Sequence, residues 1–341
     1  MRKKVTIVEI AAAAGVSVST AGRVLNGASG VSLQRRRKVL EAVRELGASR
    51  LPVLPEGHSL KVLVIRMGLD DDPYFKRMDM ALDQAAESLP SQIELVRLTN
   101  LSPFELSERL RNLDFRPHGA IVLAFDTLEV RYALERLGRQ KIPIVTLTTD
   151  IRLKTPRSFV GIDNEAAGRT AALMISRFVH NRGRVLMITG SQDYEVHRQR
   201  TKGFEDALAE YAPHLQLVGP IDVADMNDRA LTATRQAFSR QVATVAIYNS
   251  GGANEGIRQA LEAIDRVSNP IWITHEASPR HVKLLRSGQV ALLIDQDPSA
   301  QALTGLQLIL HAHGEIAAAP RARMPFRLVS AENWSDLPLV D

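Results

Sequence analysis

Ser17, Val18, Ser19, Thr20 and Arg23 fall within seven residues near the start of a 341-residue chain, in the stretch VSVSTAGRVLNG. They supply hydroxyls, one branched apolar group and one guanidinium. On the first turns of a short helix, such a set can read and hold a polyanion. A guanidinium donates two parallel hydrogen bonds to a guanine edge, a valine meets a thymine methyl, and a serine hydroxyl donates or accepts. Val18, Ser19 and Arg23 are therefore expected to meet base edges of double-stranded DNA. Thr6, Ser17, Thr20, Asn26 and Ser32 sit beside expected helix ends, where hydroxyls, amides and backbone N–H groups hold phosphates.

These residues need a small helical frame to present them. Thr6-Ile7-Val8-Glu9 has the spacing of a capping box, so a helix starts there. Ile7, Ile10, Ala11 and Ala14 follow as one apolar stripe, and Gly15 ends it at a residue suited to left-handed backbone. Ser17 caps a second helix with Ala21, Val24 and Leu25 inward, ending at Asn26-Gly27. Ser32 caps a third, whose stripe is Val39, Ala42, Val43 and Leu46. Three short helices with a turn of about three residues between the first two describe a helix-turn-helix, whose second helix enters the major groove by its N-terminal end.

The charge distribution agrees with that reading. Residues 1–50 hold ten Lys and Arg, including Arg35-Arg36-Arg37-Lys38, against Glu9, Glu41 and Glu45, whereas the rest of the chain is nearly balanced. A cationic head suits a polyanion partner. The absence of cysteine excludes disulfide scaffolding, thiolate metal sites and cysteine nucleophiles. No apolar run is long enough to span a bilayer, and no cationic-then-apolar leader opens the sequence, so a cytoplasmic, nucleoid-associated protein is expected. Glycine-rich dinucleotide loops, phosphate loops, nucleophile elbows and zinc-binding His-Glu-x-x-His patterns do not occur. His311-x-His313 ends an expected helix and reads as cap or surface. Neither an enzyme nor a metal or cofactor site is expected.

The first 47 residues resemble the DNA-binding head of the lactose-repressor (LacI/GalR) family of bacterial regulators. The resemblance rests on the Val-Thr-Ile opening, the Ala-x-x-Ala-Gly-Val-Ser turn, the Arg-Val-Leu-Asn-Gly helix end, and a basic third helix after Val-Ser. Two departures stand out. Ala21-Gly22 precedes the reading arginine, and a helix-interior glycine costs about 1 kcal/mol relative to alanine; it allows closer approach to a phosphate or leaves the helix looser until DNA arrives. The linker, 51–59, lacks the family's hinge pattern. Pro55 disfavours helix at Leu54 and Gly57 would stop one, so an extended linker with little minor-groove intercalation is expected.

Beyond the linker, residues 60–341 alternate apolar runs with amphipathic segments. LKVLVIRM, IELVRL, GAIVLAF, IPIVTL, RVLMITG, ATVAIYN, PIWIT and VALLID read as buried strands, and repeated β–α units imply doubly wound parallel sheets. The length suggests two lobes, with chain crossings near Phe159–Ile162 and Phe326–Val329, and a ligand held between them at strand carboxyl ends. This body resembles the two-lobed periplasmic sugar-binding fold (type I) that forms the effector domain of the same family. Its motifs DPYF, IPIVTLTTD, RQRTKGFEDAL, IYNSGGANEGI and LIDQDP imply Phe75, Asp150, Arg200, Asn249, Glu276 and Gln296 as cleft residues. Where the family has Gly-x-Asp, this chain has ITHEAS, so Glu276 is one methylene longer and His275 adds a titratable neighbour.

The chemistry of that set is coherent by itself. Carboxylates, amides and a forked guanidinium can satisfy vicinal hydroxyls, which both donate and accept, while Tyr74, Phe75 or Tyr194 stacks on an apolar ring face. A sugar, polyol or sugar acid is thus the expected small-molecule effector, with operator DNA as the other partner. Because two half-sites give selectivity that one small head does not, a homodimer is expected, with a tetramer as the larger alternative. The competing reading is a solute receptor for sugar uptake, which the body alone would suit.

Overall fold

The computed structural model describes residues 5–25, 31–46, 59–68, 72–239, 242–264 and 269–336. Asn26 and all of the expected linker except Ser59 lie outside them.

The head folds as its caps dictate. α1 spans Ile7–Ala14, α2 Val18–Leu25 and α3 Leu33–Glu45. The Thr6 N–H and hydroxyl both donate to the Glu9 carboxylate, at 2.8 and 2.9 Å, and the Glu9 N–H donates back to the Thr6 hydroxyl at 3.3 Å. Gly15 closes α1 at φ 62°, and α2 then leaves at 108° to α1, an angle in the range of helix-turn-helix pairs. Ile10, Ala11, Ala14, Ala21, Val24 and Leu25 meet Val39, Ala42 and Val43 of α3 in one small core. Leu46, expected in the same stripe, is instead 38% exposed, since it lies past the last turn of α3. Gly22 faces α1: a β-carbon there would come within 3.3 Å of Ile7 Cδ1. Its missing side chain therefore serves the packing of α2 on α1.

The body has two lobes built on one topology. In the first, β1 (Leu60–Arg66), β2 (Ile93–Thr99), β3 (Gly119–Leu123), β4 (Ile144–Leu147) and β5 (Ser158–Val160) form a wholly parallel sheet in the order β2-β1-β3-β4-β5. The second contains β6 (Gly183–Thr189), β7 (Leu215–Asp222), β8 (Thr244–Asn249), β9 (Ile271–His275), β10 (Leu292–Asp295) and β11 (Arg327–Val329). Its order is β7-β6-β8-β9-β10-β11, with β11 antiparallel at the edge. The expectation of parallel sheets thus fails at that one strand. In each sheet the order reverses beside the first strand, and the carboxyl ends there open onto a crevice suited to ligands.

Helices cover both faces of each sheet. α5 (Pro103–Arg111) and α6 (Leu128–Arg139) pack on one face of the first, while α4 (Pro73–Ser88) and α12 (Pro298–Ala312) pack on the other. α7 (Asn164–Phe178) and α8 (Glu195–Tyr211) cover one face of the second, and α9 (Asn227–Phe238), α10 (Asn254–Glu262) and α11 (Pro279–Arg286) cover the other. The chain therefore crosses between lobes three times: after β5, between β10 and α12, and between α12 and β11. The middle crossing, at Gln296-Asp297, is not legible in the sequence, because nothing in a strand-then-helix pattern says which sheet the helix will cover. β7 escapes the strand pattern as well, because Gly219-Pro220 interrupts its apolar run; it is an edge strand, where proline is tolerated. Among the described residues no single helix is long and apolar enough to cross a membrane.

Candidate functional site

In the head, Val18 is 46% exposed, Ser19 is exposed beside it on the first turn of α2, and Arg23 is exposed in the last turn. Ser17 fixes that turn: its hydroxyl accepts from the Thr20 N–H at 3.1 Å and lies 2.8 Å from the Thr20 hydroxyl. Side chains engaged this way have little freedom left to lose when a phosphate approaches. Thr6 is more committed, because its hydroxyl already belongs to the capping box. Ser32 is exposed at the start of α3, where its carbonyl accepts from the Arg36 N–H at 3.0 Å. Arg36 pairs with Glu315 of the body at 3.5 Å, leaving Arg35 and Lys38 as exposed members of the basic run.

The second site is the cleft between the lobes, a cavity of about 220 Å³. Every wall comes from a strand's carboxyl end or the helix after it. Non-glycine residues hold left-handed backbone at five such ends: Thr148 (φ 64°), Asp225 (58°), Ala253 (60°), Glu276 (72°) and Asp297 (51°). Such conformations cost of order 1–3 kcal/mol each and persist where surrounding structure enforces them, characteristically around ligands. Tyr74, Phe75, Tyr194, Arg200, His275, Glu276 and Gln296 all line the cavity.

Asp150 and Asn249 do not. The Asp150 carboxylate is taken by Arg157, with Nε at 2.8 Å and Nη2 at 2.5 Å, and by the Thr146 hydroxyl at 2.9 Å. Asn249 is buried behind the wall, donating to the Gly252 carbonyl at 2.6 Å and to Asn254 Oδ1 at 2.9 Å. It shapes the turn that forms the wall without facing the cavity. The family resemblance implies both as cleft residues, and their side-chain partners turn them away.

Arg200 is the hub. It is 3% exposed, and donates from Nε to Asn164 Oδ1 at 3.0 Å, from Nη1 to the Ser250 carbonyl at 2.8 Å and from Nη2 to Gln296 Oε1 at 3.1 Å. It reaches this depth because α8 presses closely on α7, where Gly168 lies against the Arg200 carbonyl and any β-carbon would collide. Gln296 passes its amide N–H to Glu276, and its carbonyl accepts from Gln301 at 2.8 Å. Gln301 in turn accepts from the Thr148 hydroxyl at 2.9 Å, and Thr148 meets the Tyr74 hydroxyl. One buried polar network thus joins both lobes through the middle crossing.

A family model described as bacterial regulatory proteins, lacI family, matches residues 6–48, and one described as a periplasmic binding protein domain matches 63–315. The chain carries a lacI-family regulatory head, and over its body it belongs to the periplasmic binding protein domain family. Its relatives include the HTH-type transcriptional regulator DegA of Bacillus subtilis, 26% identical over 61% of each chain. Another is the HTH-type transcriptional regulator GntR of Pseudomonas aeruginosa, 29% identical over 79% of this chain and 78% of that one. The match to DegA spans about three fifths of that protein's length. The body has the fold of the Caulobacter myo-inositol binding protein, with a TM-score of 0.71, 23% identity, and coverage of 84% of this chain and 98% of that one.

The cleft of this periplasmic-binding-protein-type body also contains residues that sequence reasoning did not single out. Asp72 caps α4, accepting from Tyr74 N at 2.7 Å and Phe75 N at 3.4 Å. Asp225 faces it from the other lobe, accepting from Gly252 N at 2.7 Å. Arg77 reaches across to Glu276 at 3.4 Å. The DPYF motif holds Asp72 at a cap position ahead of proline, and that is the signal by which it could have been found. The histidines are held neutral. Burial and then Arg200 drive His275 well below its ordinary range, and His197 down to about 3. His275 Nε2 lies 2.9 Å from the Tyr248 hydroxyl.

Two carboxyls move the other way. Burial pushes Glu276 up to about 7 against the opposing pull of Arg77, and pushes Asp72 up to about 6, helped by Asp225. A carboxyl that holds its proton more tightly folded than unfolded contributes stability fully at pH below its unfolded value, and loses it as pH rises through the folded one. For Glu276 that window runs from about 4.5 to about 7. The ligand-free protein is therefore expected to lose about 2 kcal/mol between pH 5.5 and 7.5 from this group, and Glu276→Gln to remove that share. Chemical denaturation across this range checks it, and an unchanged pH slope in the variant would contradict the assignment.

Proposed function

We propose that this chain is a ligand-responsive transcriptional regulator that binds operator DNA as a homodimer in the cytoplasm, and represses genes for carbohydrate use. The observation that carries the reading is the pairing of a lacI-type head, with Val18, Ser19 and Arg23 exposed on α2, with a cleft lined by aromatic, carboxylate and guanidinium side chains in the same chain. The cleft's residues suit a polyhydroxylated effector. Asp72, Asp225 and Glu276 offer acceptors from both lobes, Arg200 and Gln296 are already oriented, and Tyr74 and Phe75 supply ring faces. An effector that binds one lobe arrangement better shifts that equilibrium, and by linkage the factor by which it changes operator affinity is the factor by which operator changes its own.

A thermal-shift screen of sugars, polyols and sugar acids tests this. A true effector at about a hundred times its dissociation constant stabilises the body by about 2.7 kcal/mol, and the same compound changes operator affinity in a binding assay. A second reading, a solute receptor, is favoured by the body's likeness to the myo-inositol binding protein. It predicts ligand binding without any preferred DNA sequence, so selection of bound fragments from genomic DNA separates the two.

A further inference from the structure

Outside the cleft, the Asp126 carboxylate is completely buried and receives three arginines. Arg131 donates from Nε at 2.6 Å and from Nη2 at 2.7 Å, and Arg152 from Nε at 2.7 Å and from its backbone N–H at 3.1 Å. Both belong to the first lobe. The third, Arg198, comes from α8 of the second lobe and donates from Nη2 at 3.0 Å. The Asp126 N–H also crosses the gap, donating to the Asp193 carbonyl at 2.9 Å. Neighbouring contacts share the seam: Phe125 and Tyr194 rings stand 4.6 Å apart, the Tyr194 hydroxyl donates to the Met67 carbonyl, and Val196 N–H donates to the Thr149 hydroxyl at 3.3 Å.

We propose that Asp126 is a reversible latch between the lobes: by holding Arg198 it sets how readily the cleft opens, and it positions the face of α8 that carries His197 and Arg200. Three observations carry this. Arg198 lies in the first turns of α8 beside His197 and Arg200, but unlike them it does not line the cavity; holding it therefore acts on the ligand site through the helix. Each half of the latch also has its own counter-charge. Asp126 keeps Arg131 and Arg152 when the lobes part, and Arg198 keeps Glu195, which accepts from its Nε at 3.0 Å. At Asp126, opening thus breaks one charge-assisted bond, that to Arg198, without stranding a buried charge, which would cost far more. Finally, Asp126 stays ionised: burial would raise its pKa, but the hydrogen bonds from Arg131 and Arg152 outweigh that and hold it below the usual carboxylate range.

Asp126 and Arg198 are positioning residues, and the proposal holds whatever the cleft binds and whether or not the head binds DNA. The chain has no cysteine, so Glu108→Cys in the first lobe and Arg229→Cys in the second, both exposed, accept one spin-label pair for a distance distribution on the full-length protein. Arg198→Gln is expected to raise the long-distance population about tenfold, the size of one partly exposed charge-assisted bond. Asp126→Asn should do the same from the other side. Arg152→Gln removes an arginine from the same carboxylate without touching the seam, and should leave the distribution unchanged. A distribution unaltered by Arg198→Gln overturns the latch. So does equal opening in all three variants, which would mark general loosening; a fall in melting temperature cannot produce the expected contrast.

Discussion

Arg200→Ala is expected to abolish the response to any effector found in the cleft and to lower the melting temperature of the body by roughly 5–10 °C, with operator binding retained. The size follows from what the guanidinium holds. It donates to Asn164, the Ser250 carbonyl and Gln296, and truncation leaves those buried acceptors without a donor. A hydrogen bond to a charged group is worth about 1.5–3 kcal/mol net. The three share one donor and will not add, so a total of at least about 3 kcal/mol is a reasonable floor. The Gln296 side chain then loses the partner that orients it toward Glu276, although its backbone carbonyl keeps the bond from Gln301 of α12. Arg200→Lys distinguishes fork geometry from charge: one ammonium cannot reach three divergent acceptors, so it should recover some stability and little response. Thermal melts with and without the screened effector, alongside a DNA-binding titration, read both effects. An effector response that survives Arg200→Ala would remove this cleft as the sensor.

The cost of that burial also explains why much of the site is legible before the fold is known. Apolar runs at β spacing, caps such as Thr6–Glu9, and the residues just after each run locate strand ends, and strand ends are where a doubly wound sheet puts its ligand. Glu276 and Gln296 lie just after such runs, and the family resemblance implies them together with Phe75 and Arg200, which sit on the helices that follow. Asp150 and Asn249 obey the same rule and still turn away, because Arg157 and Asn254 compete for their polar atoms, and no spacing rule reports such competition. Asp225 escapes for a different reason. It sits beyond β7, whose Gly219-Pro220 hides the strand, and its left-handed backbone is a property of the packed turn. The interlobe seam is further still from any local pattern: Asp126 and Arg198 are 72 residues apart, and only the middle chain crossing, which sends α12 back to the first lobe, fixes the arrangement in which they meet.

Replacing the reading arginine gives the second large effect. Arg23 is exposed on α2 while Val24 and Leu25 bury the opposite face, so Arg23→Ala leaves the head's core intact and removes only a donor pair. A bidentate contact to guanine is worth about 1–3 kcal/mol of discrimination against the wrong base. The variant should therefore lose roughly ten- to a hundredfold in affinity for its operator, with relaxed preference at one position of each half-site and nearly unchanged binding to random DNA. Arg35→Ala, at an exposed position of the basic run on α3, should do the opposite: it weakens binding to all sequences alike and reduces the salt slope by about one per head, because a phosphate that is no longer neutralised keeps its condensed counterion. Binding measured against operator and random duplexes at several salt concentrations separates the two. If Arg23→Ala instead lowered both affinities equally with a shallower salt slope, Arg23 would be a phosphate contact, and base reading would have to rest on Val18 and Ser19, the remaining exposed side chains at the start of the same helix.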